Sequence, residues 1–373
     1  MNKPTVGILS MQRVINYGSF LQAYGLQQLL KKNGAGETYF IDIKPGKNLV
    51  ESTLAQPKLK RVLNILLKGI KNKSLLHDIR VYRFNKRLKE SIMSSWDILG
   101  LNKSIPAQLD AVVIGSDEVF NCTQDSWWGY STQLFGDIPA EEAKKVFSYA
   151  GSFGYTKLED LKKYGVDKEI SWYLQNLSGI SVRDENSKKI VETLTGTFAQ
   201  IHIDPVLAYG YKKEVAEMHS APIRDKYMIV YSYQDRIKEK YEVDAIVRYA
   251  RDNNMRLISI FCRYDWCDQY VLPATPIDVL RWFKFAECIA TDTFHGTIFS
   301  IITHSRFASF LRQGNKNKLQ FLLESIGLEQ HMVEDSSSLE RILSKTPDYS
   351  ECESRLTEFR KSTDDYLREL LNG

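Results

Sequence analysis

The feature that most limits how this chain can fold is a recurring unit: a short, wholly apolar run that ends in small polar residues and leads into a helix-patterned stretch. Thr5-Val6-Gly7-Ile8-Leu9, Tyr39-Phe40-Ile41-Asp42-Ile43, Asp110 through Asp117 and Val146 through Ala150 supply it in the first half. Tyr227 through Ser232, Leu257 through Phe261 and Cys288 through Thr291 supply it in the second. Runs without polar alternation fit parallel strands covered on both faces. The intervening patterns, Phe20 through Leu30 and residues 237–253 among them, fit the covering helices. Strand, polar glycine loop, helix and strand within the first forty or so residues make a Rossmann-like opening. The repeat in both halves predicts an α/β chain of two Rossmann-like domains facing each other across a cleft.

With 373 residues, two cores are expected rather than one. The boundary falls where Tyr-, Lys- and Glu-rich sequence runs out at Ala221-Pro222-Ile223-Arg224-Asp225. The expected division is 1–215, 216–345 and a final helix over 346–373, with Leu356, Phe359, Tyr366, Leu367, Leu370 and Leu371 packing back onto the body. A net charge of +4 is too small to argue for nucleic acid. The five cysteines form no CxxC pair and have no histidine at ligand spacing, so neither zinc nor a disulfide framework is indicated. No run approaches the ~18 apolar residues of a membrane helix, and the start is not a secretory signal, so a cytoplasmic setting is expected. Residues 57–91 are basic and helix-patterned, either a solvated helix face or a surface for anionic lipid or a polyanionic acceptor.

Polar residues collect at the strand ends. Asn16-Tyr17-Gly18-Ser19 lacks GxGxxG and reads as a substrate loop or a plain turn. Ser116 and Asp117 end a strand where open α/β sheets bind ligands. Asp117 is a base for a hydroxyl or the cap of the next helix. Gly151-Ser152-Phe153-Gly154 permits close backbone approach. Arg183 leaves a strand beside Asp184 and Glu185, as a structural ion pair or as an anion clamp. His202 reads as structural. Thr275 is expected to cap a helix with Pro276 at its first position. In Thr291-Asp292-Thr293-Phe294-His295-Gly296-Thr297 a helix starting at His295 or Gly296 points first-turn N–H groups at an anion, with Thr293 or Thr297 capping or lining the turn. The plainer reading there is a capped helix with a packed histidine.

Asn16-Tyr17-Gly18 with Leu21-Gln22-Ala23-Tyr24, Ile114 through Asp117, Ser148 through Gly154, Ser181-Val182-Arg183-Asp184, Asp204-Pro205 and Thr291 through Gly296 resemble, in this order, the polysaccharide pyruvyl transferase family. The likeness covers residues 5 to 325. Arg183-Asp184 stands where the family has arginine-glutamate. Asn315-Lys316-Asn317-Lys318 stands where it has asparagine, a small residue and arginine; Lys318 is a point charge without the planar fork. The resemblance implies a glycosyltransferase-B-like fold without nicotinamide or other cofactor, and the residues themselves offer no convincing metal site. It implies transfer of pyruvyl from phosphoenolpyruvate to a sugar in a surface polysaccharide such as a capsule or exopolysaccharide, giving a ketal and phosphate. The acceptor is then an oligosaccharide or an undecaprenyl-diphosphate-linked sugar, reached by peripheral contact with the inner membrane, on the 1–215 side; the donor lies on the 216–345 side.

On this reading His295 moves protons and Arg183 clamps the donor. Asn16, Ser116 and Ser152 bind sugar hydroxyls, and Asp117 activates one of them. Asp292 orients His295 through its second ring nitrogen, while Thr293, Gly296, Thr297 and Lys318 hold the donor. A nucleotide-sugar-dependent glycosyltransferase of the same two-domain architecture is the alternative.

Overall fold

The computed structural model describes residues 3–51, 75–335 and 338–372. The part of the basic stretch between 57 and 74 lies outside them. The chain divides into two compact units, one of Met1–Met11 with Gly36–Ile201 and one of Gln12–Ala35 with His202–Gly373. Each is built on a six-stranded sheet, and every strand pair in both sheets is parallel. This is a two-domain, Rossmann-like α/β architecture of the glycosyltransferase-B kind.

The first sheet holds β1 (Val6–Leu9), β2 (Thr38–Phe40), β3 (Ala111–Asp117), β4 (Val146–Gly151), β5 (Ser181–Val182) and β6 (Gln200–Ile201), in the spatial order β2-β1-β3-β4-β5-β6. Residues of β1 and β3 are buried almost throughout, as two-sided cover requires of apolar runs. The order reverses direction between β1 and β3, where Leu9 pairs with Ile114. Ser116 and Asp117 follow at that switch point.

The second sheet holds β7 (Tyr227–Tyr231), β8 (Arg256–Ile260), β9 (Gln269–Val271), β10 (Cys288–Thr291), β11 (Phe307–Phe310) and β12 (Met332–Val333). Its order is β12-β11-β10-β7-β8-β9, which is the dinucleotide-fold order, with the reversal between β7 and β10. Tyr231 pairs with Thr291 across that junction. Met228, Val230, Ile246, Leu257, Cys288, Ala290 and Ala308 form much of the core beside the sheet.

Strands read from long apolar runs fall within a residue or two of their expected places, except that the one read over Tyr39–Ile43 ends three residues early, at Phe40. The two-residue β6 and β12, with little apolar sequence, carry no such signal. The helix expected from Thr275 begins later, at Val279–Lys284. Thr275 Oγ1 and N both donate to Asp278 Oδ2, at 3.0 and 2.9 Å, so these residues close a turn ahead of it. The helix Ser350–Asn372 packs in the second unit against Pro205–Tyr209, with Arg360 Nε donating to Leu207 O at 3.0 Å. Among the described residues no helix is long and apolar enough to cross a membrane.

Candidate active site

In the second unit the helix Phe294–Ile302 springs from the end of β10, and all nine of its residues are buried. Thr293 is its cap, accepting the Gly296 N–H on Oγ1 at 2.9 Å. Thr291 Oγ1 accepts the Thr293 N–H at 3.1 Å and locks the turn. A Cβ on Gly296 would lie 2.2 Å from Thr291 Oγ1 and 2.7 Å from the Tyr231 ring, so the tight junction demands glycine. Thr297 turns inward, donating to Thr293 O at 3.1 Å and meeting Ser309 Oγ at 2.9 Å. Lys318 lies over the first residue of this helix, with Nζ 5.7 Å from the Phe294 ring centroid. Cation and helix start thus present positive potential together.

Asn16-Tyr17-Gly18 belongs to the same unit. Asn16 caps the helix Tyr17–Lys32, its Oδ1 accepting the Gly18 N–H at 2.7 Å and its Nδ2 donating to Tyr233 Oη at 3.1 Å. A Cβ on Gly18 would sit 2.2 Å from His295 Cγ, so the imidazole rests directly on the helix backbone. Tyr17 and Tyr231 pack on Phe261, with centroids 6.0 and 5.6 Å away. Burial pushes both phenols well above their ordinary range, so neither serves as a base at neutral pH.

Asp292, expected beside His295, is engaged elsewhere. Its Oδ1 accepts from Ser232 at 2.7 Å, its Oδ2 from Arg312 Nε at 3.1 Å and its carbonyl from Asn315 at 2.7 Å. Three residues along a tight strand-to-helix turn send the two side chains in different directions. The carboxylate beside His295 is Asp204, with Oδ2 3.7 Å from Nε2. Asp204 carried a signal in the Asp-Pro pair, but its meeting with His295 joins positions far apart in the chain. Arg312, which also holds Glu242, and Tyr233 carried none.

The first unit gathers a second polar group. Asp117 (φ +72°) and Ala150 (φ +47°) both take left-handed backbone conformations at strand ends, a strain typical of sites that aim side chains. Arg183 Nη2 lies 3.4 Å from Asp117 Oδ1, an ion pair with a residue 66 positions earlier in the chain. Asp184 instead caps the helix Glu185–Thr195 through the Ser187 N–H at 2.8 Å. Ser116 donates to Ala150 O at 2.9 Å and Ser152 to Asp184 Oδ2 at 2.6 Å; both are buried and hold loops.

Among the described residues no three His, Cys, Asp or Glu side chains cluster as metal ligands. All five cysteines are free, and burial raises the thiols of Cys122, Cys288 and Cys352 to about 12, out of range for nucleophiles.

The profile of the family described as polysaccharide pyruvyl transferase matches residues 16–312. Comparison with curated proteins gives no match. Among solved structures, UDP-GlcNAc 2-epimerase from Methanocaldococcus jannaschii is similar at 12% identity over 99% of each chain, with a TM-score of 0.51. Arabidopsis thaliana UGT89C1 complexed with UDP-L-rhamnose is similar at 13% identity over 99% of each chain, with a TM-score of 0.47. UDP-GlcNAc 2-epimerase from Neisseria meningitidis bound to UDP-GlcNAc is similar at 8% identity over 97% of this chain and 93% of that one, with a TM-score of 0.45. The expected donor is corrected here: the likeness at a TM-score of 0.51 is to an enzyme of a UDP-sugar, and it gives no support to phosphoenolpyruvate as substrate, to ketal formation or to phosphate release.

Proposed function

The chain belongs to the polysaccharide pyruvyl transferase family, and from that footing we propose that it is a transferase whose donor is a nucleotide-sugar, its diphosphate held at the start of the helix Phe294–Ile302. The observation that carries this reading is the topology of the second sheet. The order reverses between β7 and β10, and open α/β sheets bind ligands outside the strand ends at such a point. The helix that starts there offers first-turn N–H groups to an anion.

The loops after β7 and β8 suit the nucleoside end. Tyr233 is 43% exposed, with the Arg236 guanidinium 5.0 Å from its ring centroid, and Arg263 follows β8. An exposed ring with a cation beside it fits a base and its phosphates. In such a transfer an acceptor oxygen bonds to the anomeric carbon as the bond to the diphosphate breaks. The acceptor's proton passes to a base, and the leaving charge falls on the diphosphate, where helix amides and Lys318 oppose it. His295 belongs to this donor site. The Asp117–Arg183 pair is a second polar centre, suited to sugar hydroxyls.

Thermal unfolding with candidate ligands tests the reading. UDP-sugars should raise Tm in step with the logarithm of their concentration, by roughly 2.7 kcal/mol of stabilisation at a hundredfold excess over Kd. Stabilisation by phosphoenolpyruvate with no response to any nucleotide-sugar overturns it.

A cytoplasmic location with peripheral membrane contact is part of the same proposal. The helix Leu75–Met93 exposes Leu76 (72%) and Tyr82 (65%) beside Arg80, Arg83, Arg87 and Lys89, a mixture that favours an anionic lipid surface. Flotation with phosphatidylglycerol vesicles but not phosphatidylcholine vesicles, lost when the three arginines become glutamate, is the expected result; undiminished flotation of that variant counts against it.

A further inference from the structure

Asp204 caps the short helix Pro205–Tyr209, its Oδ1 accepting the Val206 N–H at 2.9 Å. That bond fixes the plane of the carboxylate and sends Oδ2 toward Nε2 of His295, 3.7 Å away. Both residues are buried, at 1% and 8% exposure. The separation is too long for a hydrogen bond, and Nε2 has no hydrogen-bond partner among the described residues. A neutral imidazole can face this carboxylate with a lone pair, which is repelled, or with an N–H, which is attracted. The ring has little room to turn away, since Gly18 lies so close that a Cβ there would meet Cγ at 2.2 Å and Nδ1 at 2.3 Å.

We infer that Asp204 is a positioning residue for His295: it keeps the ring proton on Nε2 and leaves Nδ1 as the nitrogen with a lone pair for a ligand. Its importance to the reaction rests on the placement of His295 in the donor site, but the tautomer itself does not depend on what the protein binds. A helix cap alone would be served as well by asparagine or serine. The negative charge at this position is what the cap does not require, and the neighbouring ring accounts for it.

The test is long-range nitrogen–proton NMR on the intact chain labelled with ¹⁵N-histidine, without ligand, at a pH where free imidazole is neutral. His295→Gln identifies the signals. The wild-type ring should show a protonated Nε2 and a bare Nδ1. Asp204→Asn, which keeps the cap, should lose that single pattern and populate the other tautomer; Asp204→Ser replaces it should the amide variant fail to fold. A protonated Nδ1 in the wild type, or an unchanged pattern in the folded cap-preserving variant, overturns the inference. Loss of nucleotide-sugar binding as a hypothesis would leave both spectra as they are, so the two failures are distinguishable.

Discussion

Arg312 grips Glu242 with both ends of its guanidinium, Nη1 at 2.6 Å and Nη2 at 3.0 Å, and turns Nε to Asp292 at 3.1 Å. Burial works against its charge, but the hydrogen bonds and charges of Glu242 and Asp292 prevail and raise its pKa. The link fastens the loop after β11 to the turn that begins the helix Phe294–Ile302.

Arg312→Ala leaves two buried carboxylates without their cation, and uncompensated buried charge costs about 3 kcal/mol or more. Arg312→Lys keeps the charge but loses the fork, so an intermediate loss is expected. Urea unfolding measures both. An alanine variant within about 0.5 kcal/mol of wild type, the range of ordinary surface changes, would show that the network contributes little.

Gly18→Ala separates local propensity from packing. In an unobstructed helix the change stabilises by up to about 1 kcal/mol. Here the added methyl overlaps the His295 ring, and overpacking typically costs ~1–3 kcal/mol. Destabilisation together with weaker UDP-sugar binding is expected. A more stable variant with unchanged binding would falsify the close seating of the imidazole.

The alternation of strands and helices was legible because two-sided burial writes apolar runs directly into the chain. The turn at Thr291–Gly296 was legible too, since a strand, a hydroxyl cap and a glycine must follow one another locally. What Asp292 and Asp204 each touch was not. Those partners come from Ser232, Arg312 and His295, and no local pattern encodes contacts across such separations. Ser116 and Ser152 mark their loops correctly but spend their hydroxyls inside the protein. The ordered motifs gave the family, while the donor expected from it did not stand beside the UDP-sugar enzymes that share the fold.

His202 predicts how the fold responds to acid. Burial, opposed by a hydrogen bond that the ring donates to the Ser362 backbone, lowers its pKa to about 4. The unfolded chain binds its proton more readily, so this contribution is complete above about pH 6.5 and is lost as pH falls toward about 4. The slope is about 1.4 kcal/mol per pH unit, roughly 3 kcal/mol over the window. His202→Phe keeps a ring against Tyr366, 4.6 Å away between centroids, and cannot titrate. Denaturant midpoints from pH 7 to pH 4 should fall less steeply in the variant; parallel curves would show that His202 charges without penalty.

Tyr233 supplies the sharpest check on the nucleoside end. Its hydroxyl takes the Asn16 amide at 3.1 Å, and its ring stands beside Phe261, with centroids 5.2 Å apart. The ring and the hydroxyl therefore do different things. Tyr233→Phe removes the hydroxyl, and with it the link to Asn16, and should leave UDP-sugar affinity within a few-fold of wild type. Tyr233→Ala removes the stacking face, worth ~1–3 kcal/mol per base, and should weaken binding on the order of tenfold or more. Calorimetric titration distinguishes the cases. Equal losses in both variants would assign Tyr233 to holding Asn16 and the cap of its helix, and would move the base to another surface.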